Sequence, residues 1–149
     1  MSGILEKFSL QDKVIVVTGG TGVLGKSFVE ALAEAGAKIV VLGRNKERAI
    51  QRVAEATNIG AEAFYILTDV LDENALHKAK DEILAKWGKI DGLINAAGGN
   101  IPGATIGEQQ NLFESNVQDT IKAIELNLYG TIIPTHIFGK VIAESGKGS

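Results

Sequence analysis

Four short apolar runs divide the N-terminal two thirds of the chain, and a glycine-rich or polar turn follows each one. The runs cover residues 14–17, 38–42, 63–67 and 92–95. Their apolar positions are mostly consecutive rather than alternating, and many of the residues are β-branched. Such runs are typical of strands buried on both faces of a parallel sheet.

The segments between these runs carry apolar residues at helical spacing. The first helix is predicted to stop at Gly36, the second to cover residues 46–57, and the third to cover 72–87 with Gly88 as its C-cap. The predicted inward-facing positions are Phe28, Val29, Leu32 and Ala33 in the first helix, Ile50 and Val53 in the second, and Leu76, Ala79, Ile83 and Trp87 in the third.

Strands that alternate with helices predict βαβ crossovers, and therefore an α/β fold with three layers. Right-handed crossovers give a Rossmann-type doubly wound parallel sheet with strand order 3-2-1-4. Residues 100–116 are predicted to form a loop. Residues 117–144 are predicted to form a helix that bends near 127–134, because Pro134 removes a backbone hydrogen bond. We expect one dinucleotide-binding domain over residues 1–149, truncated after the fourth strand and the helix that follows it.

Composition excludes several classes of function. A net charge of −3 and a pI near 5.4 give no electrostatic footprint for a nucleic-acid partner or an anionic membrane. No run approaches the roughly 20 apolar residues that span a bilayer. With two histidines and no cysteine, no metal site is expected. The N-terminus lacks the apolar run of a signal peptide, so we expect a cytoplasmic protein.

A glycine motif follows the first predicted strand and opens the first predicted helix. Its form, Gly20-x-Gly22-x-x-Gly25, in this context favours the binding of a dinucleotide. Glycines let the backbone approach a pyrophosphate, and the free N–H groups and dipole of the helix start attract its negative charge. The residues predicted to bind NAD or NADP here are Gly19, Gly20, Thr21, Gly22, Val23, Leu24 and Gly25.

The end of the second strand bears on which dinucleotide is bound. An acidic side chain there accepts a hydrogen bond from the ribose 2′-hydroxyl of NAD, whereas an arginine suits the 2′-phosphate of NADP. The sequence has Arg44 and Asn45 and no acidic residue, which favours NADP. The alternative is that Arg44 only begins a solvated helix face with Arg48 and Arg52.

Four motifs together resemble the short-chain dehydrogenase/reductase family: residues 17–25, 68–70, 95–98 and 127–131. The resemblance implies that Asp69 and Val70 line the adenine pocket, unless Asp69 only caps the next helix. It implies that Asn127 is the active-site asparagine that holds a water in a proton relay, unless it is only a satisfied bend residue. The resemblance further implies that the nicotinamide-side ribose is bordered by Asn95, Ala96, Ala97 and Gly98.

The sequence departs from the family pattern in two ways. The middle glycine of the compact members falls where Val23 stands, and Gly22 instead fits the spacing of the extended, sugar-nucleotide-modifying members. The catalytic serine and the Tyr-x-x-x-Lys pair have no match, since Tyr65 and Tyr129 lack a lysine four residues later. We therefore expect an N-terminal part of a longer enzyme, which binds cofactor but does not catalyse.

Within the family, the stretch 92–100 most resembles the D-mannonate oxidoreductase (fructuronate reductase) group, which implies an NAD(P)-dependent oxidoreductase of a sugar acid. A homo-oligomer is expected for the longer enzyme. Two alternatives stay open at this point: a non-catalytic nucleotide-binding module, and an extended-type epimerase or dehydratase.

Overall fold

A single four-stranded parallel sheet runs through the part of the chain that the computed structural model describes, which is residues 3, 7–108 and 110–149. The strands are β1 (Val14–Thr18), β2 (Lys38–Gly43), β3 (Ala63–Leu67) and β4 (Gly92–Asn95). They lie in the order β3-β2-β1-β4, with Ile15 of β1 opposite Ile39 on one side and Gly92 on the other. The predicted α/β class and strand order are confirmed.

Helices connect the strands and cover both faces of the sheet. They are α1 (Val23–Glu34), α2 (Lys46–Ile59), α3 (Glu73–Trp87), α4 (Val117–Ile124) and α5 (Gly130–Glu144). The predicted stops are confirmed, because Gly36 and Gly88 adopt left-handed φ angles of 86° and 72°, which glycine reaches without a Cβ clash.

Two apolar clusters hold the layers together. Alternate strand residues point to opposite faces, so Val17 and Val41 meet α1 and α2 on one side of the sheet. Val16 and Val40 meet α3 and α5 on the other side, where Phe138 is fully buried. Every residue of β1 is buried, which explains its continuous apolar run.

Of the two predicted inward positions of α2, Val53 packs against the core, whereas Ile50 does not. Ile50 is 49% exposed, and the buried positions are Ala49, Arg52 and Ala56. Small alanines let α2 approach its neighbours closely, while the guanidinium of Arg52 forms an ion pair with Glu55. Apolar periodicity alone placed Ile50 inward and missed Ala49 because it ranks isoleucine above alanine.

The C-terminal helical stretch has the predicted bounds but a different irregularity. A π-helical segment, Glu125–Tyr129, joins α4 to α5, whereas Pro134 lies buried inside α5. The distortion is therefore an extra residue in the helical turn, with the proline accommodated five residues after the segment ends. Before α4, the loop contains two short 3₁₀ turns, Pro102–Ala104 and Leu112–Glu114.

The outer edge of β4 contacts the last residue of the chain. Leu93 donates its N–H to the carbonyl oxygen of Ser149 at 2.9 Å, and Ser149 donates its N–H to the carbonyl oxygen of Asp91 at 3.1 Å. Among the described residues, no helix has the length and apolar character needed to cross a membrane.

Candidate functional site

A cavity of about 300 Å³ opens where the carboxyl ends of all four strands meet, which is the edge where doubly wound sheets bind ligands. Its volume lies at the lower end of the range of small-molecule sites, about 300–1,000 Å³. The cavity is lined by Gly19, Thr21, Gly22, Gly43, Arg44, Arg48, Thr68, Asp69, Val70, Ala96, Ala97, Gly98 and Leu126.

The turn between β1 and α1 forms one wall and is built from backbone. Gly19 has a φ of 63°, and a Cβ there would stand 2.5 Å from the carbonyl oxygen of Ala96. Gly25 packs directly against the backbone of Gly19 and Gly20. These two contacts hold the turn flat against the helix start, so the backbone itself faces the cavity.

Gly22 is the N-cap of α1, and the N–H groups of the first helical turn have no partner within the helix. Val23 is 86% exposed and begins that turn. Among the described residues only Asp12 is a non-glycine with a left-handed φ, so the backbone at Val23 is open to any residue. The backbone at Val23 therefore does not require a glycine.

The end of β2 brings two arginines to the cavity. Arg44 is exposed, and its Nη1 lies 3.4 Å from Asp69 Oδ2. Asn45 does not line the cavity, because its Oδ1 accepts the N–H of Arg48 at 2.8 Å as the N-cap of α2. Arg48 was not among the predicted site residues; its position four residues after Arg44, in the first turn of a helix, is the signal that would have found it.

The end of β3 contributes an acidic and an apolar residue. Asp69 Oδ1 accepts the N–H of Leu71 at 3.0 Å, and Val70 is buried in the cavity wall. Asp69 does not cap α3, because the N-cap is Asp72, whose side chain accepts the N–H of Ala75. The carboxylate of Asp69 therefore faces the cavity and Arg44.

The end of β4 is fixed by hydroxyl groups. The buried Thr18 Oγ1 accepts the N–H of Ala96 at 3.2 Å and that of Ala97 at 3.3 Å. Asn95 does not line the cavity, since its Nδ2 donates to Thr135 Oγ1 at 2.9 Å. Ala96 to Gly98 are thereby held beside Gly19.

Asn127 lies in the π-helical segment, next to the cavity-lining Leu126. Its Oδ1 accepts the N–H of Gly99 at 3.1 Å, and its Nδ2 donates to the carbonyl oxygens of Gly99 at 2.9 Å and Ala123 at 2.8 Å. Both the oxygen and the nitrogen of the side-chain amide are thus hydrogen-bonded to backbone groups, and the amide fixes the turn that follows β4.

Of the predicted site residues, nine line the cavity. Gly20 and Gly25 are buried behind it, while Val23 and Leu24 stand exposed at the start of α1. Asn45, Asn95 and Asn127 make the contacts described above. Across the described ranges, no group of three or more histidine, aspartate or glutamate side chains is placed to hold a metal ion.

Comparisons with known proteins agree with this geometry. A family model, short chain dehydrogenase, matches residues 13–149. The uncharacterized oxidoreductase UxuB of Bacillus subtilis (strain 168) is 34% identical over 145 residues, which cover 92% of this chain and 52% of the relative. The 7alpha-hydroxysteroid dehydrogenase of Escherichia coli (strain K12) is 29% identical and is covered over 53% of its length by 96% of this chain.

Solved structures of dehydrogenases share the fold. A proposed D-mannonate oxidoreductase from Haemophilus influenza with bound NAD superposes with a TM-score of 0.84 at 29% identity, over 94% of this chain and 54% of that one. An NAD+-bound xylitol dehydrogenase gives a TM-score of 0.85 at 28% identity, over 95% of this chain and 52% of that one. The chain spans about half the length of the curated relatives it matches.

Proposed function

The chain belongs to the short-chain dehydrogenase family, and on that premise we propose that it binds NADP in preference to NAD at the cavity on the carboxyl edge of the sheet. One observation carries the proposal: the glycine turn, two arginines, Asp69 and the segment after β4 line a single cavity. The glycines let the backbone of the turn pack closely and face the cavity. The N–H groups at the start of α1 have no partner within the helix, and together these features fit a pyrophosphate.

Each wall of the cavity has a role in this proposal. The N–H groups at the start of α1 bind the pyrophosphate, and Arg44 with Arg48 binds the 2′-phosphate by charge-assisted hydrogen bonds. The carboxylate of Asp69 accepts a hydrogen bond from the adenine amino group, and Val70 packs against the adenine ring. Ala96 to Gly98 border the nicotinamide-side ribose, with Asn95 holding that segment through Thr135.

When bound, a nicotinamide cofactor supplies the hydride acceptor or donor. The proposed role of Asn127 is to position groups of the protein around the cofactor. Its amide keeps the Gly99 backbone in place, and we propose that the same helical bend holds a water for proton transfer. A neutral amide does not itself titrate near pH 7, so Asn127 orients and does not serve as the acid or base.

Titration of the 149-residue chain with NADPH and NADH tests cofactor binding. NADPH should bind about a hundredfold more tightly, and Arg44→Ala should lower that preference to about tenfold, since each of the two charge-assisted contacts is worth about 1.5 kcal/mol. Equal affinities in the unmodified chain would contradict the NADP preference. No binding of either dinucleotide would contradict the proposed function.

We further propose that the enzyme containing this chain oxidises or reduces a sugar acid, of the D-mannonate or D-fructuronate type. Support comes from the likeness to the proposed D-mannonate oxidoreductase. The relatives reported above carry the names of oxidoreductases or dehydrogenases, which favours hydride transfer over epimerase or dehydratase chemistry.

Catalysis by residues 1–149 alone is not expected, because neither tyrosine has a lysine four residues later. The purified chain, assayed with NADP and NAD against sugar acids and simple secondary alcohols, should bind cofactor without turnover. Turnover at a rate normal for an enzyme, about 1–1,000 s⁻¹, would place the proton-transfer groups within these residues. Binding without turnover is also what a non-catalytic nucleotide-binding module would give.

Oligomerisation and a cytoplasmic location stay predictions. Exposed apolar residues recur along α4 and the π-helical segment at Val117, Ile121, Ile124 and Leu128, which supports association through that face. Sedimentation of the chain at several concentrations measures its self-association.

A further inference from the structure

Gly43 and Thr21 meet at the cavity wall beside Arg44. Gly43 is the last residue of β2, and Thr21 belongs to the turn between β1 and α1. A Cβ built on Gly43 would lie 2.5 Å from Thr21 Oγ1, 2.7 Å from Thr21 Cγ2 and 3.2 Å from Thr21 Cβ. All three of the nearest atoms belong to this one side chain.

The backbone does not require a glycine at this position. Gly43 pairs with Leu67 in the sheet, its carbonyl oxygen accepts the N–H of Thr68 at 3.1 Å, and its φ lies outside the left-handed region. Strand geometry of this kind accepts any residue. The atoms closest to the place of a Cβ all belong to the side chain of Thr21.

Rotation of Thr21 cannot clear the space. A β-branched side chain places two heavy atoms in three staggered positions, and both now lie within 2.7 Å of the added Cβ. Any other staggered rotamer leaves one of the two near positions occupied. Serine, with one heavy atom, can turn it into the third position, whereas valine cannot.

Position 43 is the last residue of β2, about 20 residues after the glycine motif. An acidic side chain at such a position would accept a hydrogen bond from the ribose 2′-hydroxyl of NAD. We propose that Thr21 is a specificity-determining residue: its branched side chain keeps residue 43 a glycine and so leaves the 2′ position to Arg44 and Arg48. This inference rests on the proposed function, because it assigns the discrimination between NADP and NAD to the same site.

Thermal unfolding of the 149-residue chain tests the contact without any ligand. Gly43→Ala should lower Tm by about 3 °C in the unmodified background and in Thr21→Val, and by less than about 1 °C in Thr21→Ser. Thr21→Val is the matched control, because it keeps both branches and removes only the hydroxyl. An equal loss in all three backgrounds would overturn the inference.

Cofactor titration tests the consequence. Gly43→Asp combined with Thr21→Ser should shift the ratio of NADH to NADPH affinity toward NADH by about tenfold or more, and Gly43→Asp combined with Thr21→Val should not. The same shift in both pairs would overturn the role of Thr21 while leaving the proposed function intact. If the unmodified chain binds neither dinucleotide, the proposed function fails, and the role of Thr21 in specificity fails with it.

Discussion

The turns after β1 and β2 both lead a buried strand into a helix at the same sheet edge, yet they are built from different groups. The turn after β1 is held by contacts between backbone atoms at Gly19, Gly20 and Gly25, and glycine caps its helix. The turn after β2 relies on side chains, since Asn45 caps α2 and Arg44 and Arg48 reach the cavity.

The difference separates two tasks in one site. A pyrophosphate is common to NAD and NADP, so backbone N–H groups that any sequence possesses are sufficient to bind it. The 2′ position differs between the two, so discrimination needs side chains at the end of β2. Changes at the glycines of the first turn should therefore affect stability and both cofactors. Changes at the end of β2, or at Thr21 that packs against Gly43, should affect the choice between them.

The largest effect is expected in the backbone-built turn, from Gly25→Ala. The added Cβ meets the backbone of Gly19 and Gly20, which cannot rotate away, so the free energy of unfolding should fall by about 3 kcal/mol. Urea unfolding measures this. Ser27→Ala, on the exposed face of the same helix, is the control and should change it by less than about 0.5 kcal/mol. Equal effects would show that the turn is not held by backbone contact.

Arg48→Ala should alter the side-chain-built turn without unfolding it. Loss of one guanidinium should weaken NADPH binding by about 1.5 kcal/mol, or roughly tenfold, and leave NADH binding nearly unchanged. Lys46→Ala is the control, because Lys46 is exposed on the same helix and does not line the cavity. Equal weakening of NADPH and NADH would mean that Arg48 contacts a group common to both.

Asp91 precedes β4, at the amino end of the strands and away from the cavity. A substitution of Asp91 should therefore change neither turn. Burial by itself would raise the pKa of Asp91, but hydrogen bonds from Lys89 and the Val14 N–H, together with the charges of Lys89 and Lys13, lower the pKa below its ordinary value of 3.8. A lowered pKa in the folded state stabilises the protein above the unfolded pKa, and that stability is lost as pH falls through the folded value.

Asp91→Asn should therefore cost about 1 kcal/mol near pH 7 and less in acid, with cofactor affinity unchanged. Urea unfolding at several pH values gives the profile. The exposed Asp81→Asn serves as the control, because exposed ion pairs contribute little. A cost that does not change with pH would assign the effect to packing instead.

Gly22→Ala should have the smallest effect on stability. A Cβ there meets one atom, the carbonyl oxygen of Gly19, at 3.1 Å, and the N-cap backbone is extended, with φ −79° and ψ −179°. We expect a loss below about 1 kcal/mol in the free energy of unfolding. A loss as large as that of Gly25→Ala would show that the two glycines share one role.

Local signals in the sequence were sufficient for the elements and for most of the cavity wall. Apolar runs gave the bounds of β3 and β4, and Gly36 and Gly88 marked helix ends because a left-handed residue is favourable only for glycine. The glycine motif, Arg44 and Asp69 each follow a strand, and parallel strands bring such positions to one edge. Nine predicted residues therefore line the same cavity.

The sequence by itself thus determined the fold class, the strand order, the family and the edge of the sheet that carries the site. Only the tertiary structure decided which face of α2 is buried, that Arg48 joins Arg44, that Asn127 holds Gly99, and that Thr21 fills the space above Gly43. Each of these depends on a neighbour from another element, or on how a helix is rotated against the sheet. Local periodicity and spacing carry no information about such contacts, because they describe only how each segment relates to itself.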